Sequence, residues 1–508
     1  MNMANMHPGQ NMGSNMGQPN AGQMHAQQMH TGEMNTGQMQ QPPMDPVTHE
    51  IDQALHALAS GGGDLPDHAN RLGRILFSPP RVLIVGRLKA GKSTLVNALI
   101  GENVAATGTL ETTNAVTVFR YGAPSRAEVV GNDGVRSRGI LDDGVLVDVC
   151  RPVPEVAFVE RFLPSAAVER MTIIDTPGIA TLTVENRDAT ERALIDGYAQ
   201  TRDASVDADA AVFLFDSSPR MDEREFIGKL GFTPLNTIGV LARADSFGEG
   251  AFGRRDPIEH AERYCGVLRG RLGSLMGEVV PVSGLMAESA ATGRVTEPVA
   301  RAVAQLGRLE AEDLVEELEA EAPQRIDAGL RDRALDLLGE YGVVRGAGVA
   351  AQGAVALNEW LEDRSGVARL RHVLEGGLLR YAALGRAARL LHQLELLGYS
   401  HELSAHVRHI HGVLVNQPAM APVMLFTAYR GLAATSPDSV LMPLLYDALT
   451  GSNPAERVGL PAAADPSQVR QRAREMYDEL QRMGLLGRSA AEEDSRVRLI
   501  TMVSTLLS

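Results

Sequence analysis

A short apolar run that leads into Gly-x-x-x-x-Gly-Lys-Ser, and then into an apolar-periodic segment, most restricts what this chain can fold into. The run is Val82–Val85, the motif spans Gly86–Ser93, and the following segment carries Leu95, Val96 and Leu99. The run is typical of a buried central strand and the periodic segment of a helix. Glycines between them let the backbone wrap a polyphosphate, and the helix N-terminus adds exposed N–H groups and a positive dipole end. The pattern therefore predicts a nucleotide-binding loop.

The side chains of this loop divide the chemistry between them. Lys92 is predicted to neutralise charge on the β- and γ-phosphates, and Ser93 to offer its hydroxyl to Mg²⁺. Lysine is rare in this chain, since Lys89, Lys92 and Lys229 are its only lysines among 48 basic residues. Two of the three lie in the loop, where a compact ammonium differs from a guanidinium. The predicted nucleotide contacts here are Gly86, Arg87, Leu88, Lys89, Ala90, Gly91, Lys92, Ser93 and Thr94.

Two later segments have the pattern of nucleotide-sensing switches. The loop 103–113 ends in two threonines, and Thr113 is predicted to close over Mg²⁺ and the γ-phosphate, with Thr112 as the alternative. An apolar strand ends in Asp175-Thr-Pro-Gly178. Asp175 is predicted to hold Mg²⁺ through water, and Gly178 to let its N–H approach the γ-phosphate. The predicted metal-binding residues are Ser93, Thr113 and Asp175.

Base recognition is predicted at the ends of the last two strands. Arg243-Ala-Asp245 follows a buried strand at the place where guanine-specific proteins carry Asn/Thr-Lys-x-Asp, although Ala242 replaces the first residue of that pattern. Asp245 would accept hydrogen bonds from the guanine N1–H and exocyclic amine, which adenine does not reproduce. Arg243 would lie over the base. Ser283-Gly284 follows the next strand and is predicted to be the last base-contacting loop.

Alternating strand and helix patterns from 81 to 292 predict a doubly wound, mostly parallel sheet, an α/β P-loop GTPase domain. From 293 to 508 the strand pattern is absent and long helical patterns predict an α-helical bundle, a stalk. Residues 47–80 are also helical and are predicted to join that stalk. Residues 1–46 are rich in Met, Asn, Gln and Gly and are predicted to be a disordered tail, a soft-metal site of thioethers and imidazoles being the alternative.

Composition limits the partners and the compartment. The net charge is −15 and no basic, aromatic-interleaved stretch occurs, so nucleic acid is not an expected partner. The two cysteines, Cys150 and Cys265, are far apart and suit a reducing compartment. No apolar run has the length of a spanning helix. The expected location is cytoplasmic, with peripheral contact on the inner face of the membrane.

Two helical segments are candidates for that contact. Gly342, Gly346, Gly348 and Gly353 lie among alanines and make a surface that suits either tight helix packing or membrane association. Val413–Phe426 is apolar and contains prolines, which suits either a buried turn or a membrane-dipping tip.

Over residues 70–508 the chain resembles the bacterial dynamin-like GTPases, in particular the isoniazid-inducible members of mycobacteria. The resemblance rests on Gly-Arg-Leu-Lys-Ala-Gly-Lys-Ser-Thr-Leu-Val-Asn-Ala-Leu, Glu-Thr-Thr-Asn, Asp-Thr-Pro-Gly, Ala-Arg-Ala-Asp and Val-Val-Pro-Val-Ser-Gly-Leu. It implies hydrolysis of GTP, with Mg²⁺, coupled to self-association through the GTPase domain. It also implies a second dynamin-like protein as partner and action on anionic lipid membranes.

The resemblance also bears on catalysis, for which Lys92, Thr113 and Lys89 are the candidates. Dynamins commonly carry Gln and Ser where this chain has Leu88 and Lys89, and leucine does not orient water. Lys89 is therefore hypothesised to supply positive charge to the transition state, a solvent-exposed lysine being the alternative. The sequence as a whole predicts a dynamin-like GTPase that remodels or maintains membranes. The rival prediction is a slow regulatory switch GTPase that acts through a protein effector without touching lipid.

Overall fold

The computed structural model describes residues 44–87, 89–105, 115–177, 208–484 and 489–507. The chain divides into two units, Met1–Met44 and Asp45–Ser508, and all the helices and strands named below belong to the second. The described strands are β1 (Arg81–Gly86), β2 (Val116–Tyr121), β3 (Arg126–Gly131), β4 (Arg136–Arg138), β5 (Ile140–Asp142), β6 (Val145–Asp148), β7 (Val156–Leu163), β8 (Thr172–Asp175), β9 (Ala210–Phe215), β10 (Thr237–Ala242) and β11 (Glu278–Val282).

Nine of these strands form one sheet, in the order β11-β10-β9-β1-β8-β2-β7-β3-β4. The five strands β11, β10, β9, β1 and β8 run parallel to one another, which confirms the predicted α/β fold. Beyond β8 the sheet becomes mixed, because β2 is antiparallel to β8 and β3 is antiparallel to β7. Strands β5 and β6 form a separate two-stranded hairpin.

The described helices alternate with strands as far as β11, and only helices follow β11. They are α1 (Pro46–Ala59), α2 (Leu65–Leu76), α3 (Lys92–Ile100), α4 (Ala166–Arg170), α5 (Met221–Lys229), α6 (Pro257–Leu272), α7 (Gly284–Ala291), α8 (Glu297–Leu306), α9 (Ala311–Glu319), α10 (Ala328–Ala350), α11 (Ala354–Ser365), α12 (Val367–Val373), α13 (Leu379–Ser400), α14 (Ser404–Val415), α15 (Ala421–Thr435), α16 (Leu441–Thr450), α17 (Pro454–Arg457), α18 (Pro466–Met483) and α19 (Ala490–Leu507). A π-helical turn, Leu374–Leu378, joins α12 to α13.

The central strands are buried on both faces. In β1, Leu83 and Val85 belong to one hydrophobic cluster, whereas Val82 and Ile84 belong to another. This alternation follows from the two-residue period of a strand. The first cluster extends into α8, α10 and α11, and the second into α3 and α12. Helices that follow the last strand therefore pack directly on the sheet.

A further large cluster holds the helical bundle together. It is formed by α1, α2 and the helices from α13 to α19, with members such as Leu58, Leu394 and Phe426 almost fully buried. The helical segment that precedes β1 thus shares its core with helices near the end of the chain. In the described residues, no helix is both long and apolar enough to cross a membrane.

Both segments named above as candidates for membrane contact have buried residues. A Cβ at Gly346 of α10 would lie 3.0 Å from the ring of Trp360 in α11, so this glycine permits close helix packing. In the segment Val413–Phe426, Met420, Val423 and Phe426 are fully buried. Gly346 therefore serves close packing between helices, and Met420, Val423 and Phe426 belong to a buried part of their segment.

Candidate nucleotide-binding site

The phosphate loop begins where β1 ends. A Cβ at Gly86 would lie 2.7 Å from the carbonyl oxygen of Leu214, so only glycine allows β9 to approach this closely. Two residues then adopt the left-handed conformation, Lys89 with φ of 63° and Gly91 with φ of 90°. Helix α3 starts directly after Gly91 without a side-chain cap. Its first N–H groups are therefore available to an anion, as the sequence predicts for a phosphate-binding turn.

Lys92 points into this loop. Its ammonium donates to the carbonyl oxygens of Gly86 at 3.2 Å and Arg87 at 3.0 Å, and the residue is buried. Burial lowers the pKa of Lys92, while the charge of Asp175 acts in the opposite direction. A compact cation held at the centre of a backbone loop is suited to compensating phosphate charge.

Asp175 ends β8, the strand beside β1, and is paired in register with Ile84. Its Oδ1 atom is buried without a hydrogen-bond partner, and burial raises the pKa of the carboxyl to about 6 despite the opposing charge of Lys92. The neighbouring Thr176 hydroxyl donates to the Ile84 carbonyl oxygen at 2.8 Å and fixes the turn after the strand. An orphaned buried carboxylate oxygen beside a phosphate loop fits a Mg²⁺ site, because the cation would supply the missing partner.

Four predicted switch or loop residues, Leu88, Thr112, Thr113 and Gly178, lie outside the described residues. The loop that leads to Thr112 and Thr113 is anchored at its start by Asn97 of α3, which is fully buried. The Asn97 Oδ1 atom accepts from the backbone N–H groups of Val104 at 3.0 Å and Ala105 at 2.8 Å. The Asn97 amide donates to Glu288 of α7 at 2.7 Å. The helix after the phosphate loop thus holds the start of the predicted switch segment.

The predicted base-contacting residues lie at the same edge of the sheet. Ala242 and Val282, the last residues of β10 and β11, are paired in register, so Arg243, Asp245 and Ser283 follow neighbouring strand ends. A Cβ at Gly284 would contact Thr94 of α3 at 3.4 Å. The Ser283 Oγ atom caps α7 by accepting from the Met286 N–H. The edge therefore brings both predicted base loops close to the start of the phosphate-binding helix.

Arg243 has a contact that the sequence did not predict. It adopts the left-handed conformation with φ of 54°, and its guanidinium donates to the Lys89 carbonyl oxygen at 2.9 Å. The predicted base loop is therefore fastened to the phosphate loop. Lys89 itself is exposed, with its side chain available to solvent.

Sequence reasoning missed one ion pair of the phosphate loop. Arg87 donates through Nε and Nη2 to the two carboxylate oxygens of Glu223 in α5, both at 2.6 Å. Glu223 is almost fully buried and also accepts from the Arg220 N–H at 2.8 Å. This two-point contact fixes the direction of the loop as it leaves β1. The two residues are 136 positions apart, and no local pattern connects them.

The chain is similar in sequence to several known proteins. A family model described as a 50S ribosome-binding GTPase matches residues 81–238, the part that contains the phosphate loop and Asp175. The isoniazid-induced protein IniC of Mycobacterium tuberculosis is 30% identical over 436 residues, which cover 81% of this chain and 86% of IniC. The bacterial dynamin-like protein of Nostoc punctiforme is 44% identical over 54 residues, which cover 11% of this chain and 8% of that protein.

Among solved structures, the chain is similar to a chain of an oligomerised bacterial dynamin pair, described in connection with long-range sensing and tethering of membranes. The TM-score is 0.33 at 12% sequence identity, and the alignment covers 92% of this chain and 75% of the other. The identity to IniC extends over most of both sequences. The chain therefore belongs to the family of dynamin-like GTPases that includes the isoniazid-induced protein IniC.

Proposed function

We propose that this protein hydrolyses GTP with Mg²⁺ and couples turnover to assembly on a membrane, which it remodels or maintains. The observation that carries the proposal is the placement of Lys92 in the loop after β1 and of Asp175 at the end of the neighbouring strand β8. One offers a buried cation to the phosphates, and the other offers an unsatisfied carboxylate oxygen to the metal. Family membership supports the coupling to assembly.

In the proposed mechanism, the N–H groups at the start of α3 bind the phosphates and Lys92 leaves its two carbonyl partners to face them. Asp175 and Ser93 would hold Mg²⁺, which neutralises charge on the β- and γ-phosphates. Asp245 would accept hydrogen bonds from the guanine edge. Thr113 and Gly178 would complete the site around the γ-phosphate.

Lys89 is proposed as a further source of positive charge in the transition state. Its ammonium is exposed, and its backbone has a left-handed conformation. The backbone is also held by Arg243, which donates a hydrogen bond to the Lys89 carbonyl oxygen. Lys89→Ala is expected to lower kcat by about 10-fold or more while GTP affinity stays within about twofold. Lys229→Ala removes an exposed lysine paired with Glu225 and serves as the matched control. Equal kcat in both variants would contradict this role.

The proposed partners are a second copy of this chain through the GTPase domain, a second dynamin-like protein and an anionic membrane surface. The proposed location is the cytoplasmic face of the membrane. Self-association predicts that specific activity rises with protein concentration, whereas a switch GTPase turns over independently of its own concentration.

The test is GTP turnover against protein concentration, with and without liposomes containing phosphatidylglycerol. Lys92→Ala serves as the blank, because it removes the charge that the phosphates need. Activity that rises with both concentration and lipid is the expected result. Slow turnover that is independent of concentration, with no liposome binding, would replace the proposal with a regulatory switch. A complete absence of Mg²⁺-dependent GTP turnover at every protein concentration would overturn both the membrane-assembly proposal and the switch alternative.

A further inference from the structure

Helix α10 is broken at one residue. Gly339 has φ of 64° and ψ of 175°, a conformation that interrupts the helix between Ala328–Leu338 and Glu340–Ala350. This region of backbone space is essentially restricted to glycine, because a Cβ would clash with the chain itself. A glycine-only break inside a 23-residue helix is held in place by its surroundings.

Contacts on both sides of the break hold it in place. Before it, the carbonyl oxygen of Leu337 accepts from the hydroxyl of Ser289 in α7 at 2.6 Å, and Ser289 is fully buried. After it, the Tyr341 hydroxyl donates to the Asp256 carboxylate at 2.9 Å. Arg364 donates to that hydroxyl at 2.7 Å and to Asp256 at 3.0 Å. Both flanks of Gly339 are thus tied to elements of the GTPase domain.

The break lies against the predicted base-reading residue. A Cβ at Gly339 would lie 3.6 Å from the Oδ2 atom of Asp245 and 3.5 Å from the Cδ2 atom of Leu285. Asp245 is half-buried, and its carboxylate has no hydrogen-bond donor among the described residues. The broken helix therefore forms a wall beside an acceptor pair that is open to a ligand. Leu285 directly follows Ser283-Gly284, so the wall reaches the second predicted base loop as well.

We propose that Gly339 is a positioning residue for guanine recognition. The break in α10 holds the Asp245 carboxylate where both of its oxygens face the base edge, and glycine is the residue type that permits the break. This inference rests on the proposed function and adds α10 to the base site. It also connects the base to the helices that follow the GTPase domain, because α10 lies beside Asp245 at Gly339 and is tied to Asp256 through Tyr341 two residues later.

The argument for positioning is one of backbone strain. A methyl group at position 339 would find only ordinary van der Waals contact with Oδ2 and Leu285, but its backbone strain would be relieved by straightening α10. That change removes the wall beside Asp245, and the carboxylate then turns away from the base. GTP would then lose two hydrogen bonds, from N1–H and from the 2-amino group. ITP, which has no 2-amino group, would lose one. The ratio of the two affinities therefore reports the position of Asp245.

The experiment measures Kd for GTP and ITP by competition against a fluorescent GDP analogue, using the full chain and Gly339→Ala. Gly348→Ala is the matched control, because Gly348 lies in the same helix and a Cβ there has open space around it. We expect Gly339→Ala to raise the Kd for GTP by at least about fivefold and the Kd for ITP by less, so that the preference for GTP over ITP falls. Gly348→Ala is expected to leave both affinities unchanged.

A second variant covers the case in which Gly339→Ala does not fold. Ser289→Ala removes the hydroxyl that holds the Leu337 carbonyl oxygen and adds no bulk, so a smaller fall of about twofold in the same preference is expected. An unchanged GTP/ITP ratio in either folded variant would overturn the role of the break. Wild-type protein that binds GTP and ITP equally would instead overturn guanine recognition by Asp245 itself.

Discussion

Asp175 and Asp209 lie at the ends of the two strands that flank β1, and their surroundings are opposite. Asp175 lies at the carboxyl end of β8, with one oxygen unpartnered and a pKa that burial raises to about 6. Asp209 immediately precedes β9, and its side chain is 1% exposed. It accepts from the Arg81 N–H at 2.8 Å, from Arg389 at 2.6 Å and from Arg386 at 3.4 Å.

The two arginines that Asp209 binds lie on α13, the first long helix of the bundle. Arg386 also donates to the carbonyl oxygens of Leu76 and Ser78, which join α2 to β1. The Asp209 cluster therefore connects the amino ends of β1 and β9 to α13 and to the end of α2, two helices of the bundle. A buried carboxylate with all its partners present stabilises a junction, whereas one that lacks a partner marks the place of a ligand. The same residue type thus stabilises a junction at one edge of the sheet and has the proposed metal-binding role at the other.

Removing Asp209 should have the largest effect on stability. Asp209→Ala leaves the buried guanidinium group of Arg386 and the half-buried one of Arg389 without their carboxylate, so the free energy of unfolding should fall by about 3–5 kcal/mol. Urea unfolding followed by circular dichroism measures the loss. Asp216→Ala, at the exposed other end of β9, is the control and should change stability by less than about 0.5 kcal/mol. A similar small change for Asp209→Ala would show that the junction does not depend on this cluster.

Removing the charge of Asp175 should separate activity from stability. Asp175→Asn keeps the shape of the side chain but removes the charge proposed to bind Mg²⁺, so GTP turnover should fall by roughly 100-fold or more. Without nucleotide, the same change relieves a buried charge and should raise stability at pH 7.5 by about 1–3 kcal/mol.

The exposed Asp142 of β5 provides the matched control for that variant, since Asp142→Asn should alter neither turnover nor stability. Turnover and thermal unfolding are measured on the same preparations. If Asp175→Asn destabilised the nucleotide-free protein, the carboxylate would be structural like Asp209, and the contrast between the two residues would fail.

The pH dependence of stability should show the same contrast. The raised pKa of Asp175 means that the native state keeps a proton that the unfolded state releases between about pH 4 and pH 6. The contribution of Asp175 to the stability of the nucleotide-free protein is therefore lost as pH rises through that window. The measurement is the stability difference between wild type and Asp175→Asn at each pH. A difference that stays constant from pH 4 to pH 7 would contradict the raised pKa.

The smallest effect is expected at Ser283, on the ligand edge of the sheet. Its hydroxyl caps α7, and its N–H donates to the Ser365 carbonyl oxygen at 2.9 Å. Ser283→Ala should cost about 0.5–1 kcal/mol of stability through the lost cap. Ser283→Thr keeps the hydroxyl and should recover most of that loss. A drop in GTP affinity without a drop in stability would instead make Ser283 a direct base contact.

Much of the nucleotide edge was predictable from local patterns. The apolar run of β1, the glycines and Lys92 lie within a dozen residues, so their spacing alone indicates a strand, a turn and a helix start. Because parallel strands present their carboxyl ends at one edge, Asp175 and Asp245 could also be predicted to lie near that turn. The sheet order confirms the fold class, and the identity to IniC confirms the family.

The contacts that distant residues make were not predictable in this way. Arg87 and Glu223 are 136 positions apart, and Asp209 and Arg386 are 177 positions apart. Gly339 reads in the sequence as one of several glycines in an alanine-rich helix. Local patterns therefore determined the strands, the phosphate loop and the edge where the site lies. Only the tertiary structure decided which buried charges are paired and which glycine meets Asp245, because those contacts depend on how distant helices pack against the sheet.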